Sequence, residues 1–171
     1  MGGGEELNKN ILLDCLQEFT QEAVKDLLLP VSRQKEDGDR ELSARPAAVY
    51  LMRLPDSKAA KKKAPYILHQ VITGRDKQQP GKQAEANALV RTVFCVYDAD
   101  EQEGGLQLLN LMERLRIALL QQQVIGGQFQ LDLAEGLETA NYPDDTAPYY
   151  LGEMISVWRL PGIKRQVLVK Q

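Results

Sequence analysis

Three consecutive stretches, LVRTVFCVY (Leu89–Tyr97), DADEQEGG (Asp98–Gly105) and LQLLNLMERLRIALLQQQV (Leu106–Val124), decide how this chain folds. Val90, Val93, Phe94, Cys95 and Val96 make the first a nearly unbroken apolar run, as expected of a central strand covered by other structure. The second is an acidic turn. In the third, Leu108, Leu111, Met112, Leu115 and Leu119 recur at spacings of three and four, which marks the buried side of an amphipathic helix. The acids of the turn suit the positive end of that helix, and Gly126-Gly127 is its predicted stop.

Working outward, Asn8–Leu29 repeats Leu12, Leu16, Phe19, Ala23 and Leu27 at helical spacing, with Asp14, Glu18, Glu22 and Lys25 between them. Pro30 ends that helix. Val31–Arg45 reads as an exposed loop and Ala47–Leu54 as a buried strand. Pro55–Ala64 is a loop carrying Lys61-Lys62-Lys63, and Tyr66–Thr73 is a strand. Gly74–Ala88 is polar, with Pro80-Gly81 near its middle, and a loop of that length is usually functional or mobile.

Beyond the second helix, Gln128–Leu133 alternates apolar and polar residues, the pattern of a half-exposed antiparallel strand. Asn141–Pro148 is rich in turn residues, Tyr149–Leu160 is a long strand closed by Pro161-Gly162, and Gln166–Val169 reads as a short edge. The order is helix, three strands, helix, then two or three strands. Connections too short for a crossover helix favour hairpins. The expected fold is α+β, a mostly antiparallel mixed sheet packed against two long helices. Residues 1–171 read as a single domain, with the N-terminal helix in 1–30 and the α+β core in 46–169.

The composition agrees. The chain of 171 residues is 43% hydrophobic and 26% charged, with a net charge of −3, which is ordinary for a globular fold and too apolar for wholesale disorder. The acidic balance argues against direct nucleic-acid recognition. No apolar run approaches the roughly 20 residues that span a bilayer, and Met1–Glu6 lacks the charged and apolar parts of a signal peptide. The expected setting is the cytoplasm, or a particle assembled in the cytoplasm. Cys15 and Cys95 read as small core residues rather than a disulfide.

Residues that carry chemistry are sparse. His69, the one histidine, lies in a strand, with neither cysteine at metal-site spacing. No phosphate-binding glycine loop, nucleophile elbow or zinc-binding helix motif is present. Asp98, Asp100, Glu101 and Glu103 lack the ligand order of a calcium loop and read as a solvated helix entrance. Asp144-Asp145 reads as turn chemistry beside Pro143. Lys61–Lys63 is a solvated basic loop, or a contact for an acidic surface. Tyr142, Tyr149, Tyr150 and Trp158 suit buried contacts or interfaces. The expectation is a non-enzyme with no cofactor and no metal.

The order of features across Ala64–Pro161 resembles the tail terminator family of tailed bacteriophages, typified by phage lambda. The resemblance rests on Pro65-Tyr66 opening a strand with a Gly74-Arg75-Asp76 exit. It continues through Thr92–Asp98, Glu103-Gly104-Gly105 and Leu109–Arg116, and ends on Pro148-Tyr149-Tyr150 and Val157-Trp158…Pro161. It implies a viral structural protein that caps the tail tube as a homo-hexameric ring. The implied partners are copies of itself, the tail tube protein and the head connector protein. Assembly would take place in the host cytoplasm, and the product would sit in the virion tail or neck. On that reading Lys61, Lys62, Lys63, Arg75, Asp76 and Lys77 are the interface candidates. Another head–tail joining or minor tail protein, and a non-viral adaptor domain, are the alternatives.

Overall fold

The computed structural model describes residues 7–31, 43–55, 63–143 and 146–167. In chain order the elements are α1 (Lys9–Val24), β1 (Leu29–Val31), β2 (Ser43–Arg45), β3 (Ala48–Leu51), β4 (Tyr66–Lys77) and β5 (Glu85–Tyr97). They continue with α2 (Glu101–Gln122), β6 (Val124–Ile125), β7 (Phe129–Leu131), β8 (Glu138–Asn141) and β9 (Tyr149–Pro161). Seven strands form one sheet in the order β3-β4-β5-β9-β7-β6, with β8 added beside β9, while β1 and β2 pair separately. This is the expected α+β class. The sheet is antiparallel except for β3 and β4, which run parallel although they are consecutive.

Both helices cover the same face of the sheet. Leu12, Leu16 and Val24 of α1 join Leu108, Leu111, Met112, Leu115 and Leu119 of α2 over Ile67, Val90, Phe94, Met154 and Trp158. The Trp158 indole N–H is satisfied within this layer by the Ser156 hydroxyl at 2.9 Å. The opposite face carries a smaller cluster of Leu54, Ala64, Tyr66, Leu68, Val93, Cys95 and Tyr97. Cys15 is half-buried, Cys95 is buried, and both are free thiols.

The helix boundaries follow local chemistry more closely than the apolar period does. Asn8 caps α1 by accepting the Ile11 N–H at 3.0 Å, as asparagine does well at this position. The helix stops at Val24, short of the expected Leu29. A residue before proline is driven out of the helical region, so Leu29 enters β1 instead and is fully buried there. At α2 the helix starts earlier than the apolar pattern suggests. Asp100 accepts the Gln102 N–H at 2.8 Å, which places Glu101 and Glu103 in the first turn. Gly104 is required here because a Cβ would collide with the Tyr150 ring. The expected glycine stop is not used: Gln123 caps the helix at φ 60°, and Gly126-Gly127 forms the β6–β7 turn.

The largest departure is the segment read as a long polar loop. Gly74–Lys77 continues β4, and Glu85–Ala88 already belongs to β5, in register from Gly74↔Ala88 to Lys77↔Glu85. The β5 strand in turn pairs with β9 as far as Glu85↔Pro161. Backbone pairing on both sides of β5 sustains these strands without an apolar pattern. The segment Ser43–Arg45, placed in a loop, is strand β2, while residues 32–42 lie outside the described residues. The β8 strand was not anticipated between Leu133 and the turn-rich segment. Residues 166–167 have no regular structure, and the remainder of the expected final edge lies outside the described residues.

Candidate functional site

His69 is a structural residue in this fold. Its imidazole is buried between Thr20 of α1 and Thr92 of β5, with Nε2 and Nδ1 each 2.8 Å from a threonine hydroxyl oxygen. A neutral imidazole donates with one nitrogen and accepts with the other, so both hydroxyls and both nitrogens are satisfied. Burial lowers its pKa to about 4, which keeps the ring neutral near pH 7. Among the described residues no group of three or more His, Cys, Asp or Glu side chains is placed to hold a metal ion. No helix among them is long and apolar enough to cross a membrane.

The described interface candidates fall at two separate places. Lys61 and Lys62 lie outside the described residues. Lys63 is half-buried before the inner end of β4, and its carbonyl accepts an Arg45 guanidinium N–H at 2.9 Å. Arg75, Asp76 and Lys77 occupy the outer end of the same strand and are exposed. Strand alternation then separates these three. Arg75 and Lys77 line a groove of about 420 Å³ with Glu85, Asp132, Glu135 and Arg159. Asp76 lines a second groove of about 360 Å³ against Leu7–Asn10 at the start of α1. The first groove is built from both signs of charge. Arg159 bonds to Asp132 at 3.2 Å and holds that carboxyl below its ordinary pKa.

The outer part of β4 has less cover than its inner part. The β3 strand covers only Tyr66–His69 of its free side. From Ile72 to Lys77 every residue is exposed. With β5 and β9 it forms a three-stranded arm, whose core-facing Ala88 and Trp158 still belong to the main apolar layer. A bulge between Val71 and Thr73 marks where the arm begins. Such bulges redirect a strand and are common where pairing ends or function begins.

Two further surfaces escaped the sequence reading. One is the outer side of α2, where Leu106, Leu109 and Ile117 are exposed, opposite the buried leucines. A groove of about 410 Å³ lined by Leu27, Glu113, Arg114 and Ile117 runs beside it. A second helical stripe at 106, 109 and 117 was legible but was hidden behind the stronger one. The other is a polar knot on the face of the sheet away from the helices. Arg91 donates to Glu153 at 2.8 Å and to the Tyr142 hydroxyl at 3.0 Å, and that hydroxyl donates to Glu153 at 2.8 Å. The hydrogen bond from Arg91 is the main reason the Glu153 carboxyl titrates below its ordinary range. These residues come from β5, β9 and the end of β8, so only the tertiary fold joins them.

No family model and no curated protein matches the sequence. A solved structure of the virion of a native gene transfer agent (GTA) particle contains a chain similar to this one. The TM-score is 0.45 and the identity 15%, over 67% of this chain and 78% of the other. An overlap of that extent carries no argument about function.

Proposed function

We propose that this chain is a structural assembly protein of a tailed phage or phage-like particle. It closes the tail tube as a homo-hexameric ring and joins the tube to the head connector, the role of a tail terminator. The role is non-catalytic, and its place is the virion tail or neck. The residues quoted above for the family resemblance support the reading, and the arm of β4, β5 and β9 is the observation that carries it. Here three regular strands run together with one side open among the described residues, bearing Arg75, Asp76 and Lys77 on opposite faces. An open strand side exposes unpaired N–H and C=O groups. A ring subunit can cover that side with a neighbour through a heterologous contact.

The test is the mass of the purified chain by sedimentation, with negative-stain imaging, alone and with purified tail tubes. The reading expects six-membered rings, or rings that form on tube ends. A chain that stays monomeric in both conditions and leaves tube ends bare would overturn it. Binding along the tube rather than at its end would favour a minor tail protein.

A further inference from the structure

Charge is segregated along the last third of the chain. From Ile117 to Trp158 there is no lysine or arginine, while Asp132, Glu135, Glu138, Asp144, Asp145 and Glu153 are acidic. From Arg159 to Gln171 there is no aspartate or glutamate, while Arg159, Lys164, Arg165 and Lys170 are basic. The fold turns this into two surfaces. Among the described residues β8 pairs with β9 alone, and all four of its residues are exposed. Leu133 and Tyr142, on either side of it, are also exposed. Asp132 and Glu153 are already paired within the chain, which leaves Glu138 on β8 and Glu135, on the loop before it and lining the charged groove with Arg75, Lys77 and Arg159, as the exposed acids nearest this edge. The basic stretch departs from β9 after Pro161. Residues 162–167 have no regular structure, and Ile163 and Val167, each 74% exposed, bracket Lys164 and Arg165.

We propose that residues 163–167 of one copy add as an extended strand to the β8 edge of a neighbouring copy. Lys164 and Arg165 then meet Glu135 and Glu138. The open edge offers backbone donors and acceptors to an added strand, and the charges are complementary. At about 3.3 Å per residue, residues 163–167 extend over roughly the length of the four-residue β8. Ile163, which lines the groove with Leu7 and Leu160 but stays 74% exposed, and Val167, equally exposed, gain cover beyond what the described residues of their own chain give.

For β8 and Glu138 the geometry favours a neighbour over the same chain, whereas Glu135 lines the groove that also holds Ala84. Gly162 lies so close to the Ala84 backbone that a side chain would collide with it, which seats the segment at the far end of the arm. Ile155, the β9 partner of Glu138, is roughly 20 Å back along the strand. The contact uses a different surface on each copy, so it is head-to-tail and can close a ring. This inference rests on the ring reading and specifies one of its contacts.

The full chain is compared by sedimentation over a concentration series with the reversals K164E/R165E and E135K/E138K, with the fourfold variant, and with an equimolar mixture of the two reversals. Each reversal alone is expected to weaken self-association by at least ~10-fold, since like charges then face each other. The fourfold variant and the mixture are expected to recover it to within ~3-fold, which a mere loss of folding would not allow. A wild type that assembles while the reversals leave association unchanged, or are not rescued, overturns this inference and leaves the ring reading intact. A wild type that stays monomeric with and without tail tubes overturns both. Reversals that lower the melting temperature without altering mass would assign the contact to the same chain and overturn the proposal.

Discussion

The two halves of β4 are one strand with one hydrogen-bonded partner throughout, yet they live in different physical surroundings. Tyr66–His69 is buried, paired on both sides and packed by both apolar clusters. Ile72–Lys77 is exposed, with β5 on one side and no strand on the other among the described residues. The inner half is held by packing and pairing together, the outer half mainly by pairing, with only the start of α1 beside it. On the proposed function, stability and interaction are thus separated along a single strand. Substitutions in the first should cost stability, and those in the second should cost assembly.

The sharpest way to break this contrast is to empty the inner layer. Phe94, opposite Ile67 in the register, is fully buried, so Phe94→Ala is expected to lose about 3–5 kcal/mol in urea unfolding. Next comes His69→Leu, which leaves the Thr20 and Thr92 hydroxyls buried without their partner. A loss of about 2–4 kcal/mol is expected. The same histidine adds a pH signature. Its folded pKa of about 4 lies below its ordinary 6.5, so between these values the unfolded chain binds the extra proton. Stability is expected to fall as pH drops from 6.5 to 4, by about 3 kcal/mol from this group. In His69→Leu that part of the pH dependence should vanish, while the carboxylates paired with arginine keep theirs.

A smaller effect probes the boundary between the halves. Arg91→Met removes the hydrogen bonds to Glu153 and Tyr142 at a partly exposed position, and about 1 kcal/mol is expected after allowing for solvent screening. The smallest is on the arm itself. Ile72→Ala, or the reversal of Lys77 to Glu, is expected to change stability by less than about 0.5 kcal/mol. The Lys77 reversal should nonetheless reduce capping of tail tubes, scored by negative-stain counts. A melting temperature that collapses on Lys77→Glu would erase the distinction between the two halves of β4.

The contrast also accounts for what was legible in the chain itself. The β5 strand and α2 were readable because Val90–Val96 and Leu108–Leu119 face apolar layers, and burial writes a period into sequence. The arm is exposed, so selection for packing leaves no period at Arg75, Asp76 and Lys77, and these residues read as loop. Asp100 and Gln123 set the ends of α2 through capping, which an apolar pattern does not encode. Among the candidate site residues, the polar character of Arg75–Lys77 was visible, but their division between two grooves required the strand. The β8 edge was missed because Glu138–Asn141 is exposed throughout. The charge asymmetry on either side of Trp158 was the available signal.

The long pairing of β5 with β9 has a kinetic consequence. The two strands lie on either side of α2 and β6–β8 in the chain, and their register runs from Tyr97↔Tyr149 out to Glu85↔Pro161. Each step toward the arm joins residues farther apart in sequence, so loop closure becomes steadily more costly in entropy. Zipping should therefore begin beside α2 and reach the arm last. Amide protons of Glu85–Ala88 would then exchange sooner than those of Thr92–Val96. In the proposed ring, a late-closing arm is one that a neighbouring subunit could still influence as it forms.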